Sequence, residues 1–182
     1  PTLVSDEVMA MVERSIVKPT VEGLLKDGLP YRGFIYFGLM LTLQGPKVIE
    51  YNCRFGDPEC EAVMPLFGGD LAQYIKHAAE GDLQLQLLEP KPGWSVCLIL
   101  ASAGYPETSR SGDGITGLDQ VEGVRVYPSA TRRNASGDFE TNCGRVLAIV
   151  AQAETREAAR DKVMRLVERA VAGERVAHRA HL

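Results

Sequence analysis

The run Lys47-Val48-Ile49-Glu50-Tyr51-Asn52-Cys53-Arg54-Phe55-Gly56-Asp57-Pro58-Glu59 constrains this chain more than any other stretch. An apolar strand leads directly into an acid, a carboxamide, a guanidinium and two further acids, a composition that suits a metal and phosphates better than a core. Side chains alternate along a strand with a period of two, so Glu50, Asn52 and Arg54 are expected on one face and Tyr51 and Cys53 on the other. Glu50 and Asn52 then offer two hard oxygen ligands to magnesium, an ion that takes one or two protein side chains and completes its shell with water and phosphate. The planar fork of Arg54 suits a phosphoryl or carboxylate oxygen beside that ion. For Glu-x-Asn-x-Arg alone, the competing reading is a solvated strand end with a surface ion pair. The continuation favours chemistry without deciding it. Gly56 permits a tight turn, Asp57 can cap a helix, Pro58 suits the first helical position and Glu59 the first turn, and the amides of that helix would face an anion.

The rest of the pattern alternates helices and strands. Val8, Met9, Val12, Ile16 and Val17 recur at helical spacing behind a cap at Ser5 or Asp6, predicting a helix to about Lys26 and a turn at Asp27-Gly28-Leu29-Pro30. Tyr31 to Thr42 reads as a strand, and Gln44-Gly45-Pro46 turns it back onto the strand that ends in Asn52. A helix is predicted from Pro58 toward Phe67 and a second, capped by Asp70 and carrying Leu71, Tyr74 and Ile75, to about Gly81, both covering the sheet. Leu88-Glu89-Pro90-Lys91-Pro92-Gly93 marks a boundary between domains 1–89 and 90–182. Beyond it, Trp94 to Ala101, Val124 to Tyr127 and Arg145 to Ala151 read as strands. Ser109 to Gly114 reads as a mobile loop and Arg132 to Asn142 as a hairpin tip. A last helix spans Thr155 to about Ala172, with an apolar stripe of Ala158, Val163, Leu166, Val167 and Ala170, and Arg156, Arg160, Arg165 and Arg169 on its solvated face.

Composition excludes several classes of function. The chain is 45% hydrophobic and 24% charged with a formal charge of −4, its charges mixed along the length, so it offers no broad footprint for nucleic acid. No apolar run approaches the length needed to cross a bilayer, and a cytoplasmic location is expected. Cys53, Cys60, Cys97 and Cys143 are irregularly spaced with no Cys-x-x-Cys pair, which argues against disulfides and zinc. Cys53 and Cys97 are expected as small core residues on strands, and Cys60 in a helical first turn that would lower its pKa. His77, His178 and His181 show no grouping that marks a general base.

The stretch Tyr36-Phe37-Gly38-Leu39-Met40-Leu41-Thr42, continued by Gly45 to Glu59 without a gap, resembles the phosphoribosylamine–glycine ligase (glycinamide ribonucleotide synthetase) family. The likeness continues in Pro65-Leu66, Asp70-Leu71, Ala101-Ser102-Ala103-Gly104-Tyr105-Pro106, Gly114-Ile115-Thr116-Gly117 and Gly144-Arg145-Val146-Leu147-Ala148. It implies an α+β fold: the later half of an ATP-grasp domain, an antiparallel sheet with covering helices, followed by a small C-terminal domain rich in antiparallel strands. It further implies a C-terminal fragment, expected to be inactive alone, of an enzyme that uses ATP and magnesium or manganese to join glycine to 5-phosphoribosylamine. Its implied partners are those small molecules and the absent N-terminal part. On the matching positions, the resemblance makes Glu50 and Asn52 metal ligands. It makes Arg54, Asp57 and Arg145 catalytic, and Arg54, Gly56, Asp57, Gly144 and Arg145 substrate-binding. The family pattern has two glycines before that last arginine, whereas this chain has Cys143-Gly144, a side chain where the backbone is expected to need a positive φ. Two other readings stand beside this one. One is a non-catalytic folding or interaction module. The other is a different ATP-grasp ligase, such as a biotin-carboxylase-like enzyme, which shares Glu-x-Asn-x-Arg but not Phe55-Gly56-Asp57-Pro58-Glu59.

Overall fold

A computed structural model describes residues 4–83, 89–118, 122–170 and 176–180, so Leu88 of the predicted boundary and His181 lie outside the described residues. The chain forms two compact units, one of Pro1–Gly56 with Gly69–Glu89 and one of Asp57–Gly68 with Pro90–Leu182.

The first unit opens with α1 (Asp6–Val12), whose first turn is capped by Ser5 Oγ accepting the Val8 amide at 3.3 Å. The single helix predicted to Lys26 is interrupted by a π-helical turn at Glu13–Val17 before α2 (Lys18–Lys26). The hydroxyls of Ser15 and Thr20 donate back to the carbonyls of Met11 and Ile16 at 2.7 Å, a competition for backbone acceptors that favours such a distortion. β1 (Tyr36–Thr42) starts five residues later than expected and pairs antiparallel with β2 (Gly45–Asn52), setting Phe37 opposite Tyr51 and Gly38 opposite Glu50. The strand ends at Asn52, so Cys53 falls beyond it and is exposed, which corrects its expected place in a core. α4 (Leu71–Glu80) is capped by Asp70 Oδ1, which accepts the Gln73 amide at 3.1 Å. Tyr74 on α4 and Phe55 after β2 both pack on Phe34, with ring centroids 6.2 and 4.2 Å away.

The second unit is built on a four-stranded antiparallel sheet. The remaining elements are α3 (Glu59–Val63), β3 (Phe67–Gly68), β4 (Glu89–Pro90), β5 (Trp94–Ser102), β6 (Ser111–Ile115), β7 (Val124–Pro128), β8 (Thr131–Arg133), β9 (Phe139–Asn142), β10 (Arg145–Ala153), α5 (Arg156–Ala170) and β11 (Val176–Ala180). The sheet order is β11-β5-β10-β7. The two central strands read as continuous apolar runs because both faces are covered. On one face α5 buries Ala159, Val163, Leu166 and Val167 against Val96, Leu98, Leu100, Leu147, Ile149 and Ala151. Ala159 rather than the predicted Ala158 faces inward. On the other face, Ala62 of α3 packs against Cys97, Ile99, Ala148 and Val150.

Two loop expectations are overturned in this unit. The Gly/Ser-rich stretch predicted to be mobile forms β6, which lies in a second sheet of order β6-β9-β8. Its Asp113 amide donates to the buried Thr141 hydroxyl at 3.1 Å, and the Asp113 carboxylate pairs with Arg110 at 3.2 Å. The predicted hairpin tip is shorter than Arg132 to Asn142, because β8 and β9 take up its flanks and Asn134 Oδ1 closes the turn by accepting the Ser136 and Asp138 amides at 2.9 Å.

Candidate functional site

In the first unit, the alternation of β2 brings Glu50 and Asn52 to one side. Asn52 Nδ2 donates to Glu50 Oε1 at 3.0 Å, which leaves Glu50 Oε2 and Asn52 Oδ1 as two oxygen donors at the strand end. Both are hard ligands, and the pair fits magnesium or manganese. Among the described residues no group of three or more His, Cys, Asp or Glu side chains gathers where it would hold a metal, so an ion here would take the rest of its shell from water and phosphate oxygens. The opposite face is occupied as alternation requires. Tyr51 meets Phe37 edge-on at 5.4 Å, with its hydroxyl 3.2 Å from that of Thr20.

Arg54 does not share this ladder. The strand has ended two residues earlier, and Arg54 Nη1 donates to the Phe55 carbonyl at 2.7 Å, with the side chain exposed. Its guanidinium is therefore fixed by the turn rather than by the period of two. Gly56, which follows the Phe55 anchor, is buried. Sequence reasoning missed Gly38. It lies opposite Glu50, and a Cβ built there would stand 2.8 Å from Glu50 Cγ, closer than real Cβ atoms approach. Glycine leaves the space in which the Glu50 side chain crosses the neighbouring strand. The signal for it was the register of the hairpin, which pairs the two positions.

In the second unit, the structure joins Asp57 to Arg145, 88 residues apart in the chain. Arg145 Nη1 donates to the Asp57 carbonyl at 2.9 Å and lies 3.2 Å from Oδ1, while Nη2 donates to Oδ2 at 3.2 Å. Asp57 is thus not the helix cap the sequence suggested. The N-cap position of α3 is Pro58, which makes no side-chain capping bond, and α3 is one short turn bearing Glu59 and Glu61, too short and too acidic to serve as an anion site. Arg145 opens β10 just after a left-handed pair, Cys143 at φ 94° and Gly144 at φ 52°. The conformation expected from the sequence is present, with a cysteine in it.

Two of the thiols, Cys97 and Cys60, are shifted away from the thiolate form. Burial pushes the Cys97 thiol up to about 12, and the carboxylates of Glu61, Asp57 and Glu59 reinforce the shift. Cys60 is also raised, first by burial and then by Glu61 and Asp57, which reverses the expectation that its helix start would activate it.

Two family descriptions match the chain: the ATP-grasp (A) domain of phosphoribosylglycinamide synthetase over residues 1–60 and the C domain of the same enzyme over residues 95–180. The phosphoribosylamine–glycine ligase of Chlorobaculum tepidum is 39% identical over 169 residues, which are 91% of this chain and 40% of that protein. That of Caldanaerobacter subterraneus is 42% identical over 158 residues, covering 87% and 38%. The chain therefore spans about two fifths of the length of the curated relatives it matches. Among solved structures, the phosphoribosylamine–glycine ligase of Thermotoga maritima superposes with a TM-score of 0.79 at 32% identity, over 98% of this chain and 42% of that one. The biotin carboxylase domain of Hydrogenobacter thermophilus 2-oxoglutarate carboxylase shares the fold, with a TM-score of 0.61 at 15% identity over 98% of this chain and 39% of that one. With two domains of one enzyme matched in order over residues 1–60 and 95–180, and relatives of that name about 40% identical over most of this chain, the chain belongs to the phosphoribosylglycinamide synthetase family.

Proposed function

We propose that this chain is the later portion of a cytoplasmic, ATP-dependent ligase that joins glycine to 5-phosphoribosylamine. Residues 1–89 serve as the later half of the ATP-grasp domain and 90–182 as the C-terminal domain, and the relatives' remaining length supplies the rest of the enzyme. The reading is supported by the relatives' shared name and, within this chain, by one observation: Glu50 and Asn52 are bonded side by side on one strand face, with an oxygen of each left to bind an ion.

In the reaction, a glycine carboxylate oxygen attacks the γ-phosphorus of ATP and the bond to ADP breaks, giving glycyl phosphate. The amine of phosphoribosylamine then forms the C–N bond. The C–O bond to phosphate breaks with its electron pair, and the surplus amine proton passes to water. Glu50 and Asn52 hold the magnesium or manganese ion, which when bound neutralises charge on the nucleotide phosphates. Arg54, fixed by the Phe55 carbonyl, presents its remaining donors to the transferring phosphoryl group or the acyl phosphate. Gly56 lets the backbone approach glycine. Asp57 keeps lone pairs for the substrate ammonium while it holds Arg145, because its carboxylate is about half exposed in that pair. Arg145, behind Gly144, retains the donors that Asp57 does not use for the ribose phosphate or the phosphoryl group.

The test is phosphate release with ATP, glycine and phosphoribosylamine, from the chain alone and from the chain mixed with an N-terminal portion of a relative. Turnover is expected only in the mixture, and E50Q/N52A should abolish it while leaving unfolding within about 0.5 kcal/mol of the parent. Full turnover by that variant would remove the metal assignment, and its failure to fold would make the pair structural. No turnover in either sample would favour a non-catalytic module.

A further inference from the structure

The most constrained point outside the ligand pair is the short path that leads into Arg145, and its controlling residue is Ser102, the last of β5. Ser102 is fully buried, one of two buried polar side chains among the described residues. A buried hydroxyl is costly unless it is bonded. This one donates to the Gly144 carbonyl at 3.2 Å, and the Ser102 amide donates to the same oxygen at 2.8 Å. That carbonyl is therefore clamped twice by one residue. The next carbonyl, of Arg145, accepts the Ala130 amide at 2.9 Å, and the ladder between β10 and β5 shifts register just after Arg145. A register shift of this kind re-aims a side chain.

The clamp is needed because of what precedes it. Cys143 holds a φ of 94°, a region where a Cβ is strained, and Gly144 follows at 52°. Strain at one residue and one neutral hydrogen bond are of similar size, so the second bond to Gly144 decides whether the turn keeps its shape or relaxes. We infer that Ser102 is a positioning residue: its buried hydroxyl, acting with its own amide on the Gly144 carbonyl, holds the Cys143-Gly144 turn and so aims the Arg145 guanidinium at Asp57. The geometry carries this without any substrate. Its consequence for catalysis rests on the proposed role of Arg145.

The experiment is nitrogen-detected NMR of guanidinium hydrogen exchange at Arg145 in the full 182-residue chain, beside amide exchange of Leu98 and Ile149. In S102A, Arg145 exchange should accelerate about fivefold, the effect of one lost neutral hydrogen bond, with the two core amides unchanged. In a D57N background, where the pair is already weakened, S102A should add little. If S102A does not fold, S102C is read the same way, and intermediate exchange supports the inference. Unchanged Arg145 exchange in a folded variant, or equal acceleration at Leu98 and Ile149, overturns it. Because no ligand is involved, failure here leaves the ligase reading intact, and an inactive ligase leaves this inference intact. Where both hold, S102A in the reconstituted enzyme raises the KM for phosphoribosylamine more than it lowers kcat.

Discussion

The two units solve the problem of burial differently. Among the described residues, sixteen of the buried apolar side chains belong to the second unit and three, Val12, Ile16 and Tyr74, to the first. Among its described residues the first unit instead exposes twelve large apolar side chains, with Leu43 fully exposed and Ile49 at 63%. A sheet covered on both faces is a self-sufficient core. A two-stranded hairpin packed beside helices is not, because two strands alone bury too little. The second unit is thus expected to carry the stability of the chain. The first holds the Glu50 and Asn52 pair on a scaffold with little core of its own.

Thiol labelling at pH 8 sharpens this contrast most. Cys97, pushed up to about 12 from an ordinary 9.0, should react about a thousandfold more slowly than an unshifted thiol, since each pH unit is tenfold in thiolate. Exposed Cys53 and Cys143 should label at once, and mass spectrometry of the labelled chain reads the order. The fold favours the neutral Cys97 thiol. Its contribution to stability is intact below pH 9.0 and is lost as pH rises from there toward 12. Rapid labelling of Cys97 in folded protein would show that the second unit opens as readily as the first.

Core truncation comes next. L147A, at a position 2% exposed, should cost about 3 kcal/mol in urea unfolding, whereas I49A in the first unit should change stability by less than about 0.5 kcal/mol. Equal losses would mean that the hairpin is buried in solution. A smaller effect of opposite sign is expected from C143G, which removes an exposed side chain from a left-handed backbone and should raise stability by about 1 kcal/mol. Smallest is R145M. The Asp57–Arg145 pair is partly exposed, so its loss should cost about 0.5 kcal/mol in low salt and less as salt rises.

The sequence was legible where the rule is local. Alternation alone placed Glu50 with Asn52 and Tyr51 opposite them, and capping chemistry placed α1 and α4. It misled where an element ended early or where a distant residue competed. Arg54 lies beyond the strand and bonds the Phe55 carbonyl because β2 stops at Asn52, and Ser111–Ile115 became a strand because the Thr141 hydroxyl and Arg110 supplied partners that composition does not reveal. Gly38 needed the register of β1 on β2 before its missing side chain meant anything.

By itself, the sequence determined the family, the main helices, the strands β1, β2, β5, β7 and β10, and the Glu50 and Asn52 pair, because periodicity, turn chemistry and an ungapped motif act over a few residues. Tertiary structure decided that Asp57 holds Arg145 rather than capping a helix, that α3 covers the second unit's sheet, and that Ser102 clamps the turn before Arg145. Each of those contacts joins residues tens of positions apart. Local propensity carries no information about them, since a carboxylate meets a cap or a guanidinium equally well until the packing of strands brings one of the two within reach.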